Sequence, residues 1–246
     1  MTRLKGRLAD GERLLGVLLR VPAEELVEMC AVAGFDFVLI DCEHGPADLV
    51  PLRQHLALTA AHAVPALVRV GTAEPALVLR ALDAGAAGIV APHIDTAAQA
   101  AALVDSAHYP PLGHRGFATY SRAGRYGQVD PRAHQERLVA ETLVIGMIES
   151  PVGVANCGEI LQTPGLDGIM IGTADLRAAS TPTDPAPADA IRTVHVQLAE
   201  RGRVRLDIVN GPDQARQSFA DGATMVVYNL THTLMEHLAV LGSARP

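Results

Sequence analysis

A chain of 246 residues, 49% hydrophobic and 19% charged with a mean hydropathy of +0.20, has the size of one domain with a sizeable core. Its formal net charge of −7 and 3% aromatic content argue against a nucleic-acid partner, which needs basic groups for phosphates and rings for stacking. Of the 20 basic residues only Lys5 is a lysine, in a polar segment near the N-terminus, so an imine mechanism, which needs a lysine desolvated in a pocket, is not expected.

Short apolar runs alternate with amphipathic stretches. In chain order the reading is strand Leu14–Leu19, helix Pro22–Ala33, strand Phe35–Asp41, helix Ala47–Ala61, strand Ala66–Val70, helix Glu74–Ala84, strand Gly88–Pro92 and helix Ala97–Ala107. It continues with strand Leu143–Glu149, helix Val152–Leu161, strand Gly168–Gly172, helix Asp189–Arg201, strand Val204–Val209, helix Asp213–Ala220, strand Thr224–Tyr228 and helix Thr231–Leu241. Thr72, Thr96 and Asp213 are placed to start helices, and Gly85 to end one in a left-handed conformation. Eight strands, each followed by a helix, predict a single (β/α)8 barrel. The rival doubly wound sheet would carry a Gly-rich turn after its first strand, where Arg20-Val21-Pro22 stands instead. Tyr109–Asp130, rich in Gly, Arg and Tyr, reads as an ordered lid or subunit contact, and Ala179–Pro187 as a surface connection. No apolar run reaches the ~18 residues of a membrane span. The start, Met1-Thr2-Arg3-Leu4-Lys5, lacks a signal-peptide core, and three widely spaced cysteines fit a reducing cytoplasmic setting.

Barrel chemistry sits at the carboxyl ends of the strands, and few polar residues fall there. Glu149 and Asp175 follow adjacent strands, where two acids repel unless a hard divalent cation lies between them. The alternative is a pair of surface or cap acids, since Asp175 is also near a helix start. His44 follows Asp41 by three residues, a spacing that lets the carboxylate orient the imidazole as a general base. His93 is a weaker candidate, and the other histidines, among them His55, His62, His108, His195 and His237, are assigned to surfaces and helix faces. Arg69, inside an apolar run, needs an anion: either an ion pair with Asp41 or Glu43, or a substrate carboxylate or developing oxyanion. Gly172, Thr173 and Ala174 place small residues ahead of a helix, where backbone N–H groups can hold a carboxylate.

Several ordered segments resemble the HpcH/HpaI aldolase family of metal-dependent class II pyruvate aldolases. They are Gly34–His44, Val68-Arg69-Val70, Ala81–Ala86, Tyr109–Gly116, Met147-Ile148-Glu149-Ser150 and Gly172-Thr173-Ala174-Asp175-Leu176, and the likeness spans nearly the whole chain. It implies a TIM barrel of the phosphoenolpyruvate/pyruvate-domain type whose final helix is exchanged between subunits of a homo-oligomer, a trimer or hexamer. It also implies Glu149 and Asp175 as ligands of Mg2+, Mn2+ or Co2+, His44 as proton acceptor, Arg69 as stabiliser of the enolate oxygen, and Asp83 as the acid that raises the histidine's basicity. Asp83 is not found by local reading, because an acid at a helix C-terminus on the barrel's bottom face looks only unfavourable. The implied reaction is cleavage or formation of a 4-hydroxy-2-oxo acid from pyruvate and an aldehyde. Alternatives are a CoA-thioester lyase of the citrate lyase β or malyl-CoA lyase type, and a non-catalytic barrel kept for binding. The chain departs from the family pattern at Met147 (glutamine in some members, touching substrate), Thr173 (commonly proline), Arg177 (frequently serine) and a strand-eight end without the usual acid.

Overall fold

The computed structural model describes residues 4–45 and 48–244. Eight parallel strands, β1 (Leu14–Leu19), β2 (Phe37–Asp41), β3 (Ala66–Arg69), β4 (Gly88–Ala91), β5 (Leu143–Ile148), β6 (Gly168–Ile171), β7 (Val204–Val209) and β8 (Met225–Asn229), pair in sequence order, and β8 closes on β1. The surrounding helices are α1 (Leu4–Ala9), α2 (Glu24–Val32), α3 (Leu49–Ala61), α4 (Pro75–Asp83), α5 (Ala97–Ala107) and α6 (Pro131–Glu141). They continue as α7 (Pro151–Ala155), α8 (Cys157–Ile160), α9 (Thr173–Ala179), α10 (Pro187–Glu200), α11 (Pro212–Ala220) and α12 (Leu230–Gly242). The expected (β/α)8 barrel is therefore the fold. The expected helix start at Ala47 and the first three residues of the chain lie outside the described residues.

The strands are buried on both faces, which is why they read as unbroken apolar runs rather than alternating ones. One face fills the barrel with Leu18, Phe37, Leu39, Leu67, Ile145, Met147, Met170 and Val227, while the other, including Val17, Val38, Val68 and Ile89, packs under the helices. Neighbouring positions trade volume: a Cβ at Gly16 would come within 2.7 Å of the Phe37 ring, its register partner's side chain. The period of two that carries Phe37 and Leu39 inward also carries Asp41 inward, and Leu67 does the same for Arg69. The register sets Asp41 beside Arg69.

The opposite end of the barrel is closed by α1. Leu4 joins the interior cluster, and Lys5 Nζ lies 2.7 Å from Asp167 Oδ1, just ahead of β6. The lysine is thereby held at the face away from the strand carboxyl ends. Several local expectations hold: Thr96 caps α5 by accepting from Gln99 N at 3.2 Å, and Gly85 is left-handed at φ +106°. Others need correction. Glu74, not Thr72, is the N-cap of α4, and its carboxylate accepts from Gly71 N, which pulls the helix start two residues on. Gly211 occupies the cap of α11, with Asp213 in the first turn. The stretch Val152–Leu161 breaks into α7 and α8 at Asn156. His55 and His108 are buried rather than superficial, and burial lowers the pKa of each. Among the described residues no helix is long and apolar enough to cross a membrane.

Candidate active site

The charged groups at the carboxyl ends of β2 to β6 form one connected set. Asp41 is fully buried and its carboxylate accepts from Arg69 Nε at 2.9 Å, Arg69 Nη2 at 2.5 Å and Arg20 Nε at 2.9 Å. The backbone N–H groups of Glu43 and His44 also donate to it, at 3.1 and 3.2 Å. Burial pushes the Asp41 carboxyl up, but the Arg69 hydrogen bonds and charge, joined by Arg20 and the His44 N–H, outweigh it and leave the pKa lowered. The expectation that Asp41 orients the His44 imidazole is corrected: Asp41 clamps Arg69 and ties down the backbone of the turn. The inward pleat aims its carboxylate at its register partner, while the chain turns away at Gly45, where a Cβ would meet Asp41 O at 2.2 Å.

Arg69 has the ion pair that burial demands, and one edge to spare. Its Nη1 lies 3.3 Å from Glu43 Oε2 and 4.0 Å from Met147 Sδ. Met147 is buried in the barrel interior beside this edge. Burial opposes the Arg69 charge, but Asp41, Glu43 and Glu149 together raise its pKa, so it stays cationic. Glu43, read from sequence only as a counter-ion, proves central. Its carboxylate is 4.0 Å from His44 Nε2 and 4.0 Å from His93 Nε2, and its buried Oε2 makes no hydrogen bond. The imidazole of His44 is 59% exposed at the mouth. Cys42 next door is no nucleophile: burial first, then Asp41 and Glu74, push its thiol up to about 12.

His93 earns a larger place than its sequence context gave it. Its backbone is left-handed (φ +54°), a conformation costly for a residue with a Cβ, and it turns the N–H toward Glu149 Oε2 at 3.0 Å. The ring Nδ1 lies 3.4 Å from the same oxygen. Its place after β4 marks it in the sequence only as a weaker candidate; the left-handed backbone and the contact with Glu149 come from the fold.

Glu149, directly after β5, has a side chain only 3% exposed. Burial raises its pKa; the His93 N–H and ring lower it, and the like charges of Asp175 and Glu43 raise it again, for a net rise. Asp175 sits exposed in the first turn of α9, with Thr173 half-buried and Ala174 exposed beside it. Gly172, the last residue before α9, is needed for a steric reason: a Cβ there would lie 2.2 Å from Glu149 Oε1. Asp83 does not join this set. It lies at the C-terminus of α4, toward the start of β4 and the barrel's other face, and accepts from Arg115 Nη2 at 2.6 Å. Arg115 also covers the Tyr109 ring at 5.0 Å from its centroid.

Among the described residues no three His, Cys, Asp or Glu side chains converge into a complete metal ligand set. A hard divalent cation does not require one, because it commonly takes one or two carboxylates and completes its octahedron with water and substrate oxygens. Glu149 suits that use: its carboxylate is buried, repelled by Asp175 and Glu43, and held beside a glycine that leaves Oε1 room.

Comparison with known proteins identifies the family. The HpcH/HpaI aldolase/citrate lyase family model matches residues 15–235. A 4-hydroxy-2-oxovalerate aldolase of Rhodococcus jostii is 33% identical over 245 residues, covering 97% of this chain and 94% of the relative. A 2-keto-3-deoxy-L-rhamnonate aldolase of Escherichia coli K12 is 33% identical over 228 residues, covering 90% and 84%. Among solved structures, an HpcH/HpaI aldolase/citrate lyase family protein from Burkholderia cenocepacia superposes with a TM-score of 0.88 at 32% identity, covering 99% of both chains. With the family model and these relatives spanning nearly its full length, the chain belongs to the HpcH/HpaI aldolase/citrate lyase family.

Proposed function

We propose that the protein is a metal-dependent aldehyde-lyase that cleaves or forms 4-hydroxy-2-oxo acids, with pyruvate as one partner and an aldehyde as the other. The observation that carries this reading is the run of contacts Arg69–Glu43–His93–Glu149 across the strand ends, with Asp175 electrostatically coupled to Glu149. Glu149 and Asp175 are the residues that would hold Mg2+ or Mn2+. When bound, such an ion supplies a Lewis acid that draws charge onto the keto oxygen of the substrate.

The chain's own groups do the rest. Arg69, fixed through two bonds to Asp41, offers Nη1 to the oxygen on which negative charge grows, and needs no reorganisation as the bond breaks. His44 Nε2 takes the proton of the C4 hydroxyl as the C3–C4 bond opens, and returns it to the aldehyde oxygen when the reaction runs toward synthesis. The first-turn N–H groups of α9 at Thr173 and Ala174 are free of intrahelical partners by position and suit the substrate carboxylate. Met147 shapes the pocket from below through its contact with Arg69. Asp83, on the outside of the barrel in its own chain, could influence a barrel-mouth histidine such as His44 only in a neighbouring copy.

The same reading extends to assembly and setting. None of α12 is buried, and Leu234, Met235, Leu238, Val240 and Leu241 are exposed along it, a long apolar surface that fits exchange with a neighbouring subunit in a trimer or hexamer. Three free cysteines suit the cytoplasm. The aldolase reading, rather than a CoA-thioester lyase, is the one supported by relatives at 33% identity. Pyruvate, an aldehyde panel and Mg2+ or Mn2+ test it: carbon–carbon bond formation is expected with at least one 2-hydroxylated or short aldehyde, and none with any member of the panel would contradict it.

A further inference from the structure

The β7–β8–β1 side of the barrel mouth holds one cation that the reaction described above does not use. Leu14 and Leu18 of β1 point into the barrel, and the same period of two carries Arg20, directly after the strand, inward over its carboxyl end. Arg20 Nε donates to Asp41 Oδ2 at 2.9 Å, the oxygen that also takes Arg69 Nη2. One carboxylate oxygen thus meets two guanidinium groups. Arg69 has a second acid, with Nη1 3.3 Å from Glu43 Oε2, whereas Arg20 has no other among the described residues. Its Nη1 and Nη2 make no hydrogen bond among the described residues, and with the side chain 30% exposed this edge of the guanidinium is open to solvent. The neighbouring strand ends bring no acid to cover it. Continuing the pleats of β7 and β8 puts Asn210 and Asn229 at the inward positions, and the register sets Asn229 beside Leu18.

We propose that Arg20 sets the specificity for the aldehyde: its open edge binds a carboxylate at the far end of that partner, so the 4-hydroxy-2-oxo acid formed or cleaved carries two carboxylates. The inference rests on the aldolase reading and extends it to the class of aldehyde. In that reading the oxo acid lies along successive strand ends. Its carboxylate is at the first turn of α9, after β6, its charged oxygen at Arg69, after β3, and its C4 hydroxyl at His44, in the turn after β2. Next in this order comes β1, one strand spacing of about 4.8 Å further on, which a short carbon chain beyond C4 covers. A carboxylate arriving there meets two parallel N–H donors on a planar group that Asp41 already holds through Nε. It also supplies the countercharge that Asp41, shared between two arginines, gives only in part. The second carboxylate is a handle only and takes no part in the bonds that form or break.

Addition of pyruvate to two aldehydes of equal length, 4-oxobutanoate and butanal, in the presence of Mn2+ tests it. The wild type is expected to favour the anionic aldehyde by about 10-fold or more in kcat/KM, chiefly through KM, the worth of one charge-assisted contact. Arg20→Gln, which keeps a donor for Asp41 but not the charge, is expected to lower that ratio about 10-fold, and Arg20→Lys to retain part of it. Because the ratio is taken within each variant, a general loss of folded enzyme cancels. An arginine that only held Asp41 in place would slow both aldehydes alike and leave the ratio unmoved. A wild type without preference, or the same ratio in Arg20→Gln as in the wild type, would overturn the proposal. Exchange of the pyruvate methyl protons in the same samples separates the two levels: exchange without preference removes the role of Arg20 alone, whereas neither exchange nor addition removes the aldolase reading with it.

Discussion

Gly172 and Glu149 constrain each other. The backbone of Gly172 is in an ordinary region (φ −78°), so a side chain there costs nothing in conformation and everything in space, at 2.2 Å from Glu149 Oε1. Gly172→Ala is therefore expected to fold as the wild type while losing about 10²-fold or more in kcat/KM, the scale that follows from a displacement of about 1 Å in a reacting group. Wild-type turnover with the alanine in place would show that Glu149 need not be held there. Glu149 itself is a stored cost. Its pKa is raised on folding, so the protonated form is favoured below the unfolded value and the ionised form destabilises the fold as pH rises through the folded value. At neutral pH and without divalent ions, Glu149→Gln is expected to raise the melting temperature, and with Mg2+ or Mn2+ restored to lack the wild-type activity; about 1 kcal/mol of relief corresponds to a rise of about 2–4 °C. A fall in melting temperature would mean that the carboxylate is satisfied within the chain.

Elements decide which of these residues meet. The β2–β3 register makes Asp41 and Arg69 neighbours on the inward face, and a buried pair broken on one side costs about 3–5 kcal/mol. Because pairing lowers the folded pKa of Asp41 below its unfolded value of about 3.9, the stabilisation is in place above about pH 4 and is lost as pH falls through the folded value. Melts from pH 7 down to pH 3 should show this loss in the wild type and not in Asp41→Asn, which starts less stable; parallel curves would sink the assignment. All eight strands and their order were legible because apolar runs and helix punctuation recur at βα spacing. Two helices were not: α1 looked like a polar tail, although Leu4 fills the barrel floor, and α6 has little apolar periodicity beyond its Asp130-Pro131 start; the short helix α9 was legible only through its start near Asp175. At the site, position at strand ends picked out Arg69, Glu149 and Asp175, but not which acid pairs with which base. Spacing by three tied Asp41 to the His44 ring, whereas the pleat ties it to Arg69, the ion pair the sequence offered as one alternative; Glu43 was legible only as a possible counter-ion and His93 only as a weaker candidate, and the contact between them emerges from geometry across strands. At the level of α12, Leu238→Glu is expected to reduce the assembled mass without changing the far-UV spectrum of the barrel, and an unchanged mass would exclude the helix from subunit contact.

For the whole molecule the division of labour is between two ends of one barrel. Lys5, the chain's lone lysine, serves the closed end in an ion pair with Asp167, while acids and arginine gather at the open end. With its lysine at the closed end, the described open end offers no lysine amine to withdraw electrons from a keto acid, and the proposed reading gives that task to a cation held by Glu149 and Asp175 together with Arg69. The most direct test is exchange of the pyruvate methyl protons for deuterium, followed by NMR in protein stripped of divalent ions and then restored with Mg2+ or Mn2+. Exchange is expected only after restoration and only when Glu149 and Asp175 are intact; undiminished exchange in stripped protein with chelator present would contradict the account.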